Sequence, residues 1–500
     1  MRRKSALIQF FGAQGLMVLA MVQGVFLVPL YLKYIGAAQY GQWLSLGSMV
    51  TMLGLIDLGV TSLVIQKTGY FHGCGDLKSI GRFIGTVMLF NLVVSFFIIA
   101  IGIGLSFLLP HWIGARGPDL VVLKKAFQIA TIDVMLMLLV SMTGSILFGI
   151  QKPTTHMLGL FFGTVANILV TIWLLAQGWG VLAIAMGSLM RPLIALPLNV
   201  FAIHKNLGHV LDRSILRFDR EMTKSFFRSS IWLGPSKVAE TLTAQVDNIV
   251  VIKVLNPIEV TMLNITRKAA EIAVQVVGRL SVSFMSGLAH LKGSGEEARI
   301  RTIVGDLFLF SSYLSCCILC AVLLLNQDFV TLWVKGSMYG GFFVTFLLCI
   351  YCLLKILRIA TYNVVFSHGE VRITSISSYV ESISQALFGV LFCRLWGIPG
   401  MVAASIVAVL LGGAIQVVAL LRIYRFGLNK LSKAVAKVTI STCTTLAVGR
   451  YLHALYPAGT WFTLLSFSAC IALLYMVPVL FLEPRVREVL ATRLGWVANG

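Results

Sequence analysis

Acidic residues are scarce in this 500-residue chain: Asp and Glu number 19 against 40 Lys and Arg, and only 12% of residues are charged. A water-soluble domain carries about 25%, and no stretch here is polar and long enough to fold as a separate aqueous domain. Cysteine and histidine also form no pattern of chemical interest. The nine cysteines (Cys74, Cys316, Cys317, Cys320, Cys349, Cys352, Cys393, Cys443 and Cys470) fall mostly inside apolar runs, where Cys packs as a small hydrophobe. The CxxC of Cys349 and Cys352 has no second pair and no His nearby, so it does not read as a metal or redox site. The eight histidines lie at the ends of apolar runs or in loops. No catalytic residue, metal ligand set or cofactor is expected. Gly73, Gly75, Lys78 and Ser79 form a GxGxxKS string that hints at phosphate binding. It lacks the GxxxxGK[ST] spacing and a preceding strand, and is read as a tight turn.

What the chain has in abundance is apolar length: 58% of residues are hydrophobic and the mean hydropathy is +0.91. The runs are continuous rather than alternating and are about 20 residues long, which predicts membrane-spanning helices. Helical bundles and closed barrels alone satisfy every backbone polar group in lipid. The expected fold is therefore an all-α integral membrane bundle of about fourteen spans. These are predicted at 5–32, 40–66, 81–109, 121–149, 155–177, 180–203, 225–252, 258–289, 302–325, 340–366, 373–394, 397–421, 434–454 and 460–482. Arg2-Arg3-Lys4 before an apolar run resembles a signal peptide. The run continues for nearly thirty residues and contains Gln9, Gln14 and Gln23, so it is read as a retained first helix.

Basic residues set the orientation. With the N-terminus inside, 25 Lys and Arg fall in inner segments and 8 in outer ones, so both termini are expected in the cytoplasm. The same bias accounts for most of the net charge of +21; it is no evidence for nucleic acid, which is not expected as a partner.

An internal repeat organises the spans. YIGAAQYG from Tyr34 answers VLNPIEVT from Val254, each directly after a lysine, Lys33 or Lys253. At the same offset of 220, Gly73, Gly75, Ile80, Gly85, Leu89 and Phe90 match Gly293, Gly295, Ile300, Gly305, Leu309 and Phe310 without a gap. Later the offset becomes 217, where Trp179-Gly180-Val181 answers Trp396-Gly397-Ile398. Each half holds an even number of spans, so the two six-helix bundles (spans 1–6 and 7–12) are parallel repeats, an arrangement that suits rocking around a central cavity. The expected domains are 1–204, an N-terminal six-helix bundle; 205–224, a cytoplasmic linker; 225–425, a C-terminal six-helix bundle; and 426–500, two added helices with a cytoplasmic tail.

VPLYLKYIGAAQYGQW from Val28, GLIDLGV from Gly54, the turn and helix at Gly73, WLGPSKVAETLTAQVDNIVV from Trp232 and WGIPGMVAAS from Trp396 resemble the polysaccharide-biosynthesis flippases. These are the Wzx-type branch of the multidrug/oligosaccharidyl-lipid/polysaccharide exporter superfamily, and the likeness covers spans 1–12. It implies transport of an undecaprenyl-diphosphate-linked oligosaccharide, an O-antigen or related lipopolysaccharide or surface-glycan unit, across the bacterial inner membrane. Membrane lipids, glycan polymerase and chain-length machinery are the further partners it implies. Spans 13–14 depart from the usual twelve and resemble the fourteen-span lipid II flippases of the same superfamily.

Charges inside spans are costly, at least about 2.5–3.5 kcal/mol at mid-bilayer, and should face a cavity or a partner. Span 8 carries Arg267, Lys268 and Glu271 on one face, either an internal salt bridge or a cationic site, with two bases against one acid. Span 10 carries Tyr351, Lys355, Arg358 and Tyr362 at i, i+4, i+7 and i+11, a stripe with no acid in its own helix. Arg binds diphosphate oxygens in a bidentate manner, Lys supplies a point charge, and Tyr rings lie against sugar faces. Arg358 could alternatively extend to the inner interface. Arg191 and Lys237 complete the candidate substrate-binding set. Asp57, Asp133, Glu240, Asp247, Glu271 and Glu381 are candidate coupling or structural groups, with Asn167 and Gln416 as weaker ones.

The expectation is thus a non-enzymatic flippase working by alternating access. A cation-coupled multidrug exporter of the same fold is one rival, but residues 5–32 contain no Asp or Glu. A membrane-embedded glycan polymerase or ligase is another, but the outer connections are too short for a catalytic loop. The charge bias makes the topology testable: a reporter fused after Gly500 should read as cytoplasmic and one inserted near Lys335 as periplasmic. A periplasmic C-terminus would mean an odd number of spans.

Overall fold

The computed structural model describes residues 2–54, 60–113, 118–214, 238–293, 297–334, 338–368, 370–424 and 428–483. Among them the regular structure is helical throughout. The first seven helices are α1 (Arg2–Leu53), α2 (Val60–Gly73), α3 (Leu77–Ile113), α4 (Pro118–Gly149), α5 (Thr154–Ala176), α6 (Val181–Ser188) and α7 (Met190–Ser214). A further helix, α8, is described over 238–254. The rest are α9 (Pro257–Gly293), α10 (Glu297–Val334), α11 (Phe342–Ser367), α12 (Val371–Tyr424), α13 (Leu428–Leu455) and α14 (Trp461–Leu482).

Length dictates how these count as membrane crossings. A 52-residue α1 is about 80 Å long, more than twice the roughly 30 Å hydrocarbon core. It bends at Gly36, whose φ of 77° lies in the left-handed region. The 54-residue α12 bends likewise at Gly397. Dividing both, and joining the second part of α1 to α2 and α6 to α7, gives helix in each of the fourteen predicted spans; the seventh is described from 238 onward. Nine stretches of the described residues are individually long and apolar enough to cross a membrane, and the divided ones are among them.

The backbone also carries the repeat. Gly180, before α6, has φ 58° and ψ −133°, and Gly397, 217 residues later, has φ 64° and ψ −139°. Glycine alone adopts this conformation readily, so the two halves share a turn geometry as well as a Trp-Gly dipeptide. The GxGxxKS string is the tight turn expected. Here α2 ends, Gly75 takes φ 71°, and the Asp76 carboxylate caps α3 by accepting from the Ser79 N–H at 3.1 Å and hydroxyl at 2.6 Å. A helix N-cap accounts for residues that read superficially as a phosphate loop.

Contacts divide the chain into two compact units, Met1–Thr261 and Met262–Gly500. The first unit is built on small residues that let helix backbones approach, the usual device where lipid supplies no hydrophobic drive. Gly163 of α5 lies against the Arg191 backbone of α7, where a Cβ would come 2.8 Å from the Arg191 Cα. α8 belongs to this unit because Asn248 joins α1: its carbonyl accepts from Ser45 at 3.1 Å and its amide donates to the Ser48 hydroxyl at 2.9 Å. The turn that follows is held the same way. Asn256 caps α9 through the Glu259 N–H at 3.0 Å, Pro257 opens the helix as Pro prefers, and the Thr261 hydroxyl donates to the Ala37 carbonyl at 2.7 Å. Gly41 sits under the Pro257 carbonyl with no room for a Cβ. At the offset of 220, residue 37 corresponds to 257 and 41 to 261, so the contact is reciprocal.

The second unit packs α10 at its centre. Ala270 and Ala273 of α9 and Leu319 and Val322 of α10 form one core with Cys349 and Cys352 of α11. A second joins α10 and α11 to Ala419 and Leu420 of α12. A third seats the two added helices: Tyr313, Cys316, Cys320 and Leu324 of α10 meet Ile471, Tyr475 and Val479 of α14, with Val438 and Leu446 of α13 packed beside them. A polar pair ties one end of this seat to α10, His453 to Asp328 at 2.5 Å, and at the other end Lys437 of α13 meets Glu483, just after α14, at 2.9 Å.

Gly41→Ala should destabilise the protein by about 1–3 kcal/mol, the usual cost of overpacking. Gly47→Ala, in the same helix with nothing within 4 Å, should be neutral or gain up to about 1 kcal/mol. Thermal unfolding of the two purified variants in one detergent checks this, and equal effects would refute the close approach at Pro257.

Candidate functional site

Two clusters of part-buried polar groups stand out, one in each unit. In the second unit, packing of the small Ala270 and Ala273 against Cys349 and Cys352 brings α9 and α11 together at the level of their charges. Arg267 Nε meets Glu271 Oε1 at 2.9 Å, and its Nη2 donates to Asn264 Oδ1 at 2.8 Å. Lys355 Nζ donates to the Tyr351 hydroxyl at 2.7 Å and lies 5.1 Å from the centre of that ring. Glu271, Lys355 and Arg267 all fall within electrostatic reach of Cys352, so the span 8 and span 10 groups form one cluster. Lys268 is part-buried on the same helix. Tyr362 stacks on Phe366 with ring centres 5.8 Å apart and planes 10° from parallel.

Arg358 has a different setting. The stripe's own helix has no acid, but α12 supplies one: Glu381 is ion-paired to Arg358 Nε, their side chains 2% and 10% exposed. Arg358 Nη2 also donates to Ser378 at 3.2 Å. Glu381 is held from behind by the return half of α12, where a Cβ on Gly412 would come 2.9 Å from the Glu381 Cβ and Ser377 donates to the Gly412 carbonyl at 2.7 Å. Arg358 therefore bridges α11 to α12 by a buried pair.

In the first unit Arg191 of α7 is the hub. With the Asn167 amide turned to satisfy both its ends, the Asn167 carbonyl accepts from Arg191 Nε at 3.0 Å, from Nη2 at 2.9 Å and from Gln23 Nε2 at 3.1 Å. Its NH2 donates to the Gly187 carbonyl at 3.2 Å and to Thr171 at 3.1 Å. Gln23 closes the ring by accepting from Arg191 Nη2 at 3.4 Å. Tyr31 of α1 and Asp133 of α4 are within electrostatic reach of the guanidinium, and Ser188 of α6 meets the Asp133 carboxyl. Five helices thus converge on one arginine. Sequence reasoning found Arg191 and Asp133 but left them isolated, and noted Asn167 weakly. It missed Tyr31 and Ser188, which carry no charge to mark them. Gln23, a polar residue in an apolar first span, was a signal available in the sequence.

The remaining candidates are dispersed. Glu240 is exposed and Asp247 buried on α8, and Gln416 is fully buried on α12. Asp57 and Lys237 lie outside the described residues. No group of three or more potential metal ligands occurs among the described residues.

The family described as polysaccharide biosynthesis protein matches residues 35–339. No curated protein matches the sequence. Solved structures match the fold. "Lipid II flippase MurJ, inward closed conformation" does so with a TM-score of 0.69 at 14% identity, covering 94% of this chain and 97% of that one. An inward-facing multidrug resistance MATE family transporter of the MOP superfamily gives 0.67 at 14% identity over 82% and 96%. A MOP superfamily transporter from Pyrococcus furiosus, described by reverse polarity of its binding pocket, gives 0.60 at 14% over 84% and 95%. Likeness at this identity establishes the fold, and the nine long apolar helical stretches among the described residues make it that of a multi-pass membrane protein. The MurJ match leaves too few residues uncovered to omit both α13 and α14.

Removing either partner of the Arg358–Glu381 pair leaves a buried unpaired charge, at a cost of about 3–5 kcal/mol. Arg358→Gln and Glu381→Gln should each reduce membrane abundance and thermal stability, and the double variant should recover most of both. Equal loss in single and double variants would show that the pair is not an isolated unit.

Proposed function

Because the chain belongs to the polysaccharide biosynthesis protein family, we propose that it is a flippase that carries an undecaprenyl-diphosphate-linked oligosaccharide, an O-antigen or related surface-glycan unit, across the bacterial inner membrane. One observation supports this reading: α9 and α11 bring Arg267, Lys355 and Glu271 within electrostatic reach of one residue, Cys352, with Lys268 part-buried on the same face of α9. A part-buried cluster in which bases outnumber the acid on these two helices suits a diphosphate better than a cationic drug.

In this reading Lys355, Arg267 and Lys268 contact the diphosphate, and Arg358, anchored by Glu381, fixes α11 at the level where they do so. Tyr351 and Tyr362 offer ring surface to sugars. Arg191 provides an anion contact in the first unit, and Lys237 is a further candidate base. Asp57, Glu240 and Asp247 are candidate coupling groups. The cycle is alternating access: the same headgroup is bound in two conformations whose equilibrium the cargo shifts. No bond is made or broken, and both termini face the cytoplasm. A lipid II-type cargo, which shares the diphosphate, is the second reading; the MurJ likeness, extending into α13–α14, favours it over drug export.

The test is surface-glycan display in cells whose protein is replaced by variants, with membrane abundance measured alongside. Lys355→Ala and Lys268→Ala should lower display severely at unchanged abundance, and Arg267→Gln/Glu271→Gln should insert normally but fail to transport. Normal display by a Lys268→Ala/Lys355→Ala variant would sink the diphosphate assignment.

A further inference from the structure

By the internal repeat α8 belongs with the second half, since span 7 answers span 1; by contact it belongs to the first unit. A short run of α1 holds it there. The Asn248 carbonyl accepts from Ser45 at 3.1 Å, and Asn248 Nδ2 donates to Ser48 at 2.9 Å. Where α9 begins, Thr261 donates to the Ala37 carbonyl at 2.7 Å and the Pro257 carbonyl closes over Gly41. The contact therefore runs over residues 37–48, about 17 Å of helix and roughly half the hydrocarbon core. In the orientation set by the basic residues this is the outer half. Burial along α8 follows the same division. From 247 to 252 every residue is buried except the half-buried Ile249, whereas from 240 to 246 only Thr243 is buried and Glu240 and Ala244 are exposed. The helix is clasped at its outer end and looser toward its inner end.

The chemistry of this clasp suits repeated opening. Its hydrogen-bonding groups, from Ser45, Ser48, Asn248, Thr261 and the backbone, are all neutral, so they close without burying a charge and part without stranding one. Arg358 and Glu381 are the opposite case, since separating them leaves two buried ions. A neutral hydrogen bond between membrane helices is worth little net, because its groups find other partners when it breaks. At Gly41 and Pro257 the backbones meet with no side chain between them, so a small displacement loses the whole contact. We propose that residues 37–48 of α1, Asn248 and the start of α9 form the outer latch of the transport cycle. Closed, as here, it holds α8 to α1 at the outer end and leaves the inner end the freer; it parts to release cargo outward. This inference rests on the alternating-access reading given above. Ser45, Ser48, Asn248 and Thr261 are then positioning residues, which bias two conformations and touch no cargo.

The experiment uses the full chain in spheroplasts, with the exposed Cys74, Cys443 and Cys470 changed to Ser and Val260, fully buried beside Thr261, changed to Cys. A membrane-impermeant maleimide added outside reports how often the latch opens. Ser48→Ala and Asn248→Ala should each raise labelling at position 260 about fivefold, the factor for one net hydrogen bond. Combined they should do no more, because they remove the same bond. Ser45→Ala with Asn248→Ala removes two bonds and should raise it about 25-fold. A second reporter, Val304→Cys, fully buried in the second unit, should keep its rate throughout. Unchanged labelling at 260, or an equal rise at 304 from general loosening, would overturn the latch. Ser48→Cys/Asn248→Cys, joined by a short bifunctional methanethiosulfonate, should lose surface-glycan display and regain it on reduction. Failure to join, or normal display while joined, would also overturn it. A parent chain that supports no display would instead overturn the flippase reading, and the labelling, which needs no cargo, would still judge the latch.

Discussion

Taking a charged side chain out of water costs several kcal/mol even after the surroundings relax, and in this protein that cost decides which helices become neighbours. Arg358 on α11 needs an acid, its own helix has none, and α12 must therefore bring Glu381 to it. Arg267 finds its acid one turn away on α9, which leaves α9 free to pack on α11 through small residues. Arg191 is bonded to no carboxylate among the described residues and is held instead by amides from α1 and α5. These are three answers to one problem: an ion pair across helices, an ion pair within a helix, and an amide cradle. The first joins two helices through charge, and the third joins α1, α5 and α7 through neutral amides.

The fold was largely legible in the sequence because lipid imposes length. Each of the fourteen apolar runs holds helix, and the Trp-Gly pairs at 179–180 and 396–397 proved to share backbone angles. The candidate site was legible only by halves. Residue types and helical spacing identified Arg267, Glu271, Tyr351 and Lys355 as groups on faces, because i, i+4 geometry is local. Which faces meet depends on packing between helices distant in the chain, and no periodicity encodes it. Glu381 was visible as a charge in a span but not as the partner of Arg358. Tyr31 and Ser188 were invisible because neutral polar residues in a span are common and acquire meaning only from what they touch.

The two added helices are more than a passive appendage. The α10 surface they cover is apolar, but one end is fixed to α10 by Asp328 with His453, and at the other end Lys437 joins α13 to Glu483 after α14. The Phe467 and His453 ring centres lie 5.7 Å apart with their planes nearly perpendicular, and Phe329, beside Asp328, stacks on Trp333 and lies nearly perpendicular to Trp461. Apolar burial alone would let α13 and α14 slide along α10, since lipid tails solvate a misplaced apolar face nearly as well. The Asp328–His453 pair sets the register on α10, and Lys437–Glu483 ties α13 to α14 so that the two added helices keep it together.

The reciprocal contact at the start of α9 has a consequence for how such a chain can change over generations. Once a segment has been duplicated, its two copies ordinarily drift apart freely, as most of this sequence has done. At residues 37, 41, 257 and 261 they meet each other, Ala37 with Thr261 and Gly41 with Pro257. A side chain gained at one of these positions lands on the counterpart of a residue one turn away in its own copy, so a change is acceptable only if that residue has room for it. The chain meets the constraint with a missing Cβ on one side and a hydroxyl on the other, and so ties Gly41 to Pro257 and Ala37 to Thr261, each pair one helical turn off the repeat offset of 220.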